Sequence, residues 1–183
     1  MNQARFEPGP LAEVECRARG DRWELAFVRD LRHPPEKVWA ALTQPDQLQE
    51  WSPFTADRDL SSIGDATLTM IDAGASVDLP ASVRRAEPPT LLEYTWGDDV
   101  LRWELAATDS GTRLTLRHTI AGRDGVPKAA AGWHLCLVVA DHLLEGQPIG
   151  PIRGENALNY GWEQLRDAYA EKLSIPSKPV DRR

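Results

Sequence analysis

The chain has 183 residues and a mass of 20.4 kDa, which suits one domain, or one domain with extensions. Hydrophobic residues make up 42% and charged residues 27%, so the composition excludes a chain that is disordered throughout. The formal net charge is -7, without the excess of basic residues that binding to nucleic acid or to an anionic membrane requires. We therefore expect no nucleic acid and no membrane among its partners.

Cysteine usage and the N-terminal sequence bear on the compartment of the protein. The chain has 2 cysteines, Cys16 and Cys136, and neither belongs to a CxxC or Cys/His spacing. This argues against a zinc site and against a disulfide framework. No apolar segment follows a basic start, and no run approaches the ~18 apolar residues of a membrane span. These features predict a cytoplasmic protein with two free thiols.

The sequence reads as one domain between two extensions. Residues 1–20 are mixed in charge and lack a clear period, so they predict an N-terminal arm with one short strand near residues 11–16. Residues 174–183 are rich in proline and charge, which predicts a flexible C-terminal tail. The domain between them is expected to span residues 21–173.

The first regular elements are a strand and two short helices. Apolar and polar residues alternate over 22–31, which predicts the first strand. Pro35 suits the first position of a short helix, because a missing N–H costs nothing there. Pro45 starts a second short helix in the same way, and Pro53 ends it. Two short helices are therefore expected after the first strand.

The period changes to two after about residue 57, which predicts a series of antiparallel strands. The five candidates are 66–71, 76–86, 91–96, 100–107 and 112–120. The connections between them are short and rich in Gly, Pro and Asp, and such connections can join only antiparallel neighbours. In the last candidate, Leu114, Leu116 and His118 share one face, while Arg and Thr occupy the other. One side of the sheet is therefore expected to be covered and the other exposed to water.

Two helical patterns follow, separated by an interruption at 146–154. The apolar positions of the first, over 127–145, are Trp133, Leu137, Ala140 and Leu144. Those of the second, over 156–173, are Leu158, Trp162, Leu165 and Tyr169. A bent sheet closed on one face by a C-terminal helix buries both stripes. The pattern therefore predicts an α+β helix-grip fold, with a curved antiparallel sheet wrapped around a long C-terminal helix.

Four fragments, taken in order, resemble START-like (SRPBCC) proteins. They are RHPPEKVW at 32–39 with its continuation ALTQP at 41–45, LQEW at 48–51, GTRLTLRH at 111–118, and GWHLCL at 132–137. Within that superfamily they are most similar to the branch named for activators of heat-shock-protein ATPase. The likeness covers about residues 22–173.

This resemblance implies a cavity between sheet and helix that binds a small hydrophobic molecule. Some relatives of this kind are cyclases or dehydratases, and others are transport or sensor modules. The family name also implies a chaperone partner. The family commonly has a single C-terminal helix, so the resemblance does not give the path of the helix interrupted here at 146–154.

No motif for catalysis, for a metal or for a cofactor stands out in the sequence. The glycine-containing loops lack the spacing of a phosphate cradle, and no serine lies in a GxSxG elbow. His134 and His142 are two turns apart, whereas two histidines on a helix bind one ion from positions i and i+4. We therefore predict no catalytic residue, no metal and no cofactor, and we expect His134, Asp141 and Glu145 to lie on a solvated helix face.

His118 is the exception, because it shares the covered face with Leu114 and Leu116. A buried polar group costs about 1–3 kcal/mol unless it is hydrogen-bonded. Two interpretations stay open: a core histidine satisfied by its neighbours, or a polar handle that orients a ligand or moves a proton. The second would allow an enzyme of the cyclase or dehydratase kind with His118 as acid/base, provided that another group such as Tyr94 lies within reach.

Aromatic residues dominate the positions expected to face the covered side. The chain has 7 tryptophans against 3 tyrosines and 3 phenylalanines, and filling of the core explains most of them. Several nevertheless converge on the region between sheet and helices. The predicted ligand-binding residues are Trp51, Phe54, Met70, Tyr94, Trp96, Trp103, His118, Trp133 and Leu137. The leading expectation is a protein that binds a small hydrophobic ligand, aromatic or lipid-like, and the alternatives are an enzyme or a module that docks on a chaperone or on a second copy.

Overall fold

The computed structural model of the protein describes residues 3–72 and 74–177. The strands are β1 (Glu13–Arg19), β2 (Arg22–Leu31), β3 (Phe54–Ala56), β4 (Gly64–Asp72), β5 (Ala75–Glu87), β6 (Leu91–Trp96), β7 (Asp99–Thr108) and β8 (Gly111–Ile120). The helices are α1 (Pro35–Thr43), α2 (Pro45–Trp51), α3 (Val126–Leu144) and α4 (Trp162–Leu173). Short 3-10 helices cover Gln3–Arg5, Arg123–Gly125 and Gly154–Tyr160.

All eight strands form one antiparallel sheet in the order β1-β2-β8-β7-β6-β5-β4-β3. Alternate residues of β8, from Thr112 to Ile120, are buried, and those between them are exposed or half-buried. The sheet curves around α3 without closing into a barrel, and the inner face carries the core. The predicted helix-grip α+β fold is confirmed.

The two short helices were predicted to follow the first strand, but in the structure they follow the second. The helices α1 and α2 follow β2, the second strand, because part of the predicted N-terminal arm already forms β1. Gly20 has a φ of 64° at the turn of the β1–β2 hairpin, a left-handed conformation that glycine adopts without strain. Strand β1 is thus longer than the strand predicted near residues 11–16, and it begins and ends further along the chain.

Helix α3 is buried on more sides than its sequence pattern indicates. The apolar stripe from Trp133 to Leu144 packs on the sheet, as predicted. The prediction of a solvated face was wrong for His134, which is 0% exposed because α4 and the N-terminal arm cover it. Leu158 was predicted to belong to the stripe of the last helix, but it lies in the preceding 3-10 helix and is 52% exposed.

The N-terminal arm crosses α4 and is fastened there by hydrogen bonds. The backbone N–H of Ala12 donates to the hydroxyl of Tyr169 over 2.9 Å, and Lys172 Nζ donates to the carbonyl of Ala12 over 3.0 Å. At the other end, Ile175 is buried and donates its N–H to Ala170. The rest of the predicted flexible tail, residues 178–183, lies outside the described residues. The division at residues 20 and 174 stays a prediction.

In the described part of the chain, no helix is long and apolar enough to cross a bilayer.

Candidate ligand-binding site

A cavity of about 350 Å³ lies against the first half of α3, beside the ends of β6 and β8 and the segment 152–157. Most of its wall is apolar, and the apolar side chains include Trp96, Trp133, Trp162, Ile152, Ala129 and Ala157. Three other side chains bring polarity: His118, Lys128 and Arg153. The arrangement is that of an apolar ligand pocket with few polar groups.

Two glycines explain why the chain leaves space here. Gly132 lies within α3 and lines the cavity, and a Cβ added to it would meet nothing within 4 Å. Gly154 begins the opposite wall with a φ of 53°, and a Cβ at this position would overlap the carboxylate of Asp72. Asp72 also accepts a hydrogen bond from the backbone N–H of Glu155 over 3.3 Å. The interrupted segment is thereby held against β4.

The polar atoms of His118 are both engaged by protein groups. Its Nε2 lies 2.8 Å from Oδ2 of Asp99, and its Nδ1 accepts the indole N–H of Trp133 over 3.0 Å. Asp99 in turn accepts from Arg22 over 2.7 Å. His118 is only 4% exposed, so this geometry is that of a core histidine satisfied by its neighbours, with part of its ring in the cavity wall.

Aromatic rings continue from the cavity wall into the core. Trp96 lies 6.1 Å from Trp133 and 5.1 Å from Phe54, measured between ring centroids. Trp133 meets Trp103 edge-on at 5.3 Å, and Trp103 meets Trp51 in the same way at 6.0 Å. Edge-to-face contacts of this kind stabilise the packing beyond the area that they bury.

The nine predicted site residues divide between cavity wall and core. Trp96, His118 and Trp133 line the cavity. The buried residues that pack around it without lining it are Trp51, Phe54, Tyr94, Trp103 and Leu137. Met70 is half-buried on β4 opposite Phe54, also outside the lining. Burial raises the pKa of Tyr94, whose hydroxyl accepts the indole N–H of Trp103 over 3.2 Å, so this phenol stays protonated.

Several lining residues were absent from the predicted set. Lys128 lies at the start of a helix and Arg153 in the interrupted segment, and at neither position does a hydrophobic pattern in the sequence indicate a site. Gly132 did carry a signal, because a glycine inside a helix indicates a close approach or an open surface. Cys136 also lines the cavity, and burial raises the pKa of its thiol to about 12, so the thiol is protonated at neutral pH.

The outer face of the sheet carries a second, polar depression of about 590 Å³. Its side chains are charged and pair with one another, as Glu104 does with Arg117 at 2.8 Å and with Arg102 at 2.9 Å. Two of the pairs cross between strands: Arg102 of β7 lies 3.5 Å from Glu93 of β6, and Glu104 of β7 pairs with Arg117 of β8. Such mutually satisfied pairs on a wet face indicate a solvated surface and add little stability.

Comparisons with known proteins agree with this architecture. A profile of the family described as Activator of Hsp90 ATPase homolog 1-like protein matches residues 32–145. No curated protein sequence matches the chain.

Solved structures resemble the chain over most of its length. CalU16 from Micromonospora echinospora has a TM-score of 0.67 at 18% identity, with 89% of this chain and 95% of that chain covered. A conserved protein of unknown function from Enterococcus faecalis has a TM-score of 0.66 at 17% identity, covering 88% and 91%. The AHSA1-like protein from Aeromonas hydrophila gives 0.59 at 21% identity, covering 67% and 92%. At these identities the likeness shows the fold alone.

The family profile spans more than half of the sequence, and the helix-grip fold described above is the one that the START-like resemblance implied. The chain belongs to the family of Activator of Hsp90 ATPase homolog 1-like proteins.

Proposed function

We propose that this protein binds a small apolar molecule, aromatic or lipid-like, in the cavity beside α3. The observation that carries the proposal is the cavity of about 350 Å³ with three tryptophans in its wall. That volume falls at the lower end of the ~300–1,000 Å³ range of ligand pockets, which suits a ligand with one or two rings or a short acyl chain.

The character of the wall favours an apolar ligand over water. An ordered water needs several polar partners, and the aromatic and aliphatic surfaces of Trp96, Trp162 and Ile152 offer few. A ligand that covers these surfaces gains roughly 25 cal/mol for each Å² of apolar area removed from water.

The hydrogen bonds of His118 favour binding over acid–base chemistry. Asp99 is close enough to orient the imidazole, but Trp133 occupies the remaining nitrogen. A general base must reach the proton that it removes through a free lone pair, and His118 offers none while Trp133 donates to it.

The test is isothermal titration calorimetry of the wild-type protein with 2-naphthylmethanol and, separately, with 1-decanol. The substitution Gly132→Leu places a side chain in the cavity from a helical position that has room for it, so the fold is spared. We expect the wild type to bind at least one probe and Gly132→Leu to lose at least about tenfold in affinity, the equivalent of 1.4 kcal/mol.

Gln164→Leu is the matched control, because it adds the same side chain at an exposed position of α4 outside the cavity lining. Equal binding by wild type and a folded Gly132→Leu variant would locate the ligand elsewhere, and the proposal would fail. It would also fail if no probe bound the wild type.

A further inference from the structure

We propose that the ligand of this cavity is a small organic acid, with its apolar body against the tryptophans and its carboxylate at Lys128 and Arg153. This inference rests on the proposed function and adds the chemical class of the ligand.

The first argument is the distribution of charge. The chain has 28 acidic and 21 basic side chains, with a net charge of -7. The described residues that line the cavity nevertheless include Lys128 and Arg153 and no aspartate or glutamate. An acidic protein therefore has a cavity whose formal charges are positive, and that favours an anionic ligand.

The ammonium group of Lys128 is not paired with a carboxylate in the described part of the chain. It is exposed, and it forms no hydrogen bond or ion pair with any residue of 3–72 or 74–177. It also lies in the first turn of α3, a 19-residue helix, where the helix dipole is positive and a cation is unfavourable. An anion at this end of the cavity would interact favourably with both the ammonium group and the dipole.

Arg153 is held in place by neutral acceptors. Its Nε donates to the carbonyl of Ser52 over 2.6 Å, and its Nη2 donates to the carbonyl of Gln49 over 2.7 Å. These bonds orient the guanidinium without neutralising it, and Arg153 forms no salt bridge with a described residue, although Glu50 is near enough to act on it electrostatically. A fixed, partly buried guanidinium without a salt bridge to a described residue is suited to a carboxylate.

The imidazole of His118 does not compete for this role. His118 has both nitrogens engaged, by Asp99 and by Trp133, so it offers no free donor to an anion. The positive charges that the wall offers to a carboxylate are therefore those of Lys128 and Arg153, while the tryptophans contact the rest of the molecule.

Three probes with one ring system separate charge from shape: 2-naphthoic acid, 2-naphthylmethanol and 2-naphthylmethylamine. At pH 7 they are anionic, neutral and cationic. We expect the acid to bind about tenfold more tightly than the alcohol, from two charge-assisted contacts, and the amine to bind most weakly. The advantage of the acid should shrink as the salt concentration rises, whereas the affinity for the alcohol should not fall.

Variants then assign the effect to residues. Lys128→Gln should lower the affinity for 2-naphthoate about two- to five-fold, as expected for an exposed ion pair, and leave the alcohol unchanged. Arg153→Lys keeps the positive charge and Arg153→Gln removes it. Both variants lose the guanidinium that donates to the carbonyls of Ser52 and Gln49. A larger loss of acid binding in Arg153→Gln than in Arg153→Lys therefore reports the charge itself. Arg84→Gln, an exposed arginine outside the lining, controls for net charge.

The outcomes separate this inference from the proposed function. If the alcohol binds as tightly as the acid, or the amine binds best, the ligand is not an acid and the binding function stands. If Arg84→Gln weakens acid binding as much as the variants at Lys128 and Arg153 do, the effect is long-range and the assignment fails. If none of the three probes binds, this inference is overturned, and the binding function is overturned with it if 1-decanol does not bind either.

Discussion

Trp133 fixes the tautomer of His118. An indole N–H can only donate, so the 3.0 Å bond to Nδ1 requires the proton of the imidazole to lie on Nε2, which donates to Asp99. Hydrogen bonds therefore run without interruption from the cavity wall to Asp99 and Arg22, both of which are partly exposed.

We expect His118→Leu to lower the free energy of unfolding by about 2–4 kcal/mol, because it leaves the indole N–H of Trp133 and one oxygen of Asp99 without their partner. Urea denaturation measures the loss. A double-mutant cycle with Trp133→Phe should give a coupling of about 1 kcal/mol. A His118→Leu variant as stable as the wild type would show that these hydrogen bonds contribute nothing.

Trp103 and Trp162 should respond differently to truncation. Trp103 is 0% exposed and packed between Trp51 and Trp133, so Trp103→Ala should cost about 3–5 kcal/mol. Trp162 is half-buried at the cavity, so Trp162→Ala should cost about 1–2 kcal/mol. Denaturation and probe titration together check this, since only Trp162→Ala should remain fully folded while it weakens binding. Equal losses of stability would contradict the division between core and wall.

Gly132→Ala should stabilise the protein by about 0.5–1 kcal/mol, because alanine is the better helix former and its Cβ meets nothing within 4 Å. Thermal denaturation gives the change. Gly111→Ala is the contrasting variant, because its φ is 152° and its Cβ would overlap the carbonyl of Leu31. If Gly132→Ala lost as much stability as Gly111→Ala, the space around Gly132 would not be open, and this prediction would be wrong.

The stability of the protein should fall on mild acidification because of His134. Burial lowers the pKa of this imidazole, which accepts from the hydroxyl of Tyr169 and lies near the cation Arg29. The unfolded chain therefore takes up the proton first, so the stabilisation is complete above the ordinary pKa of about 6.5 and is lost as the pH falls toward the lowered value.

The variant His134→Gln tests this dependence, since glutamine can keep one hydrogen bond but does not titrate. Its unfolding free energy should change less than that of the wild type between pH 7 and pH 5. Parallel profiles for the two proteins would assign the acid sensitivity to other groups.

Much of the fold could be predicted because its strands have one buried and one exposed face, which makes apolar and polar residues alternate in the sequence. The predicted strands at 22–31 and 91–96 have the bounds of β2 and β6. Strand β3 has three residues, too few for any alternation to show. The burial of His134 could not be predicted because it depends on the arm and α4, which meet it from distant parts of the chain.

The candidate site was less predictable, because alternation reports burial and not what lies on the buried side. Trp96 and Tyr94 share a strand face in the sequence pattern, yet Trp96 lines the cavity and Tyr94 lies in the core behind it. The difference is set by the segment 152–157, which has no period of its own. Asp99 was missed for a similar reason, since it begins β7 and reaches His118 from the neighbouring strand.

The start of the chain supports the far wall of the cavity. Gln3 accepts the hydroxyl proton of Tyr160 and donates to the carbonyl of Pro151, and Phe6 packs edge-on against Tyr160 at 5.4 Å. These hydrogen bonds join residues 157 and 148 positions apart, and such contacts slow folding because the entropy of closing a long loop is lost before they form. A partly folded protein with its sheet and α3 but without these contacts would lack the support of the cavity wall. The appearance of ligand affinity during refolding should therefore mark the moment at which the N-terminal residues reach the segment 151–160.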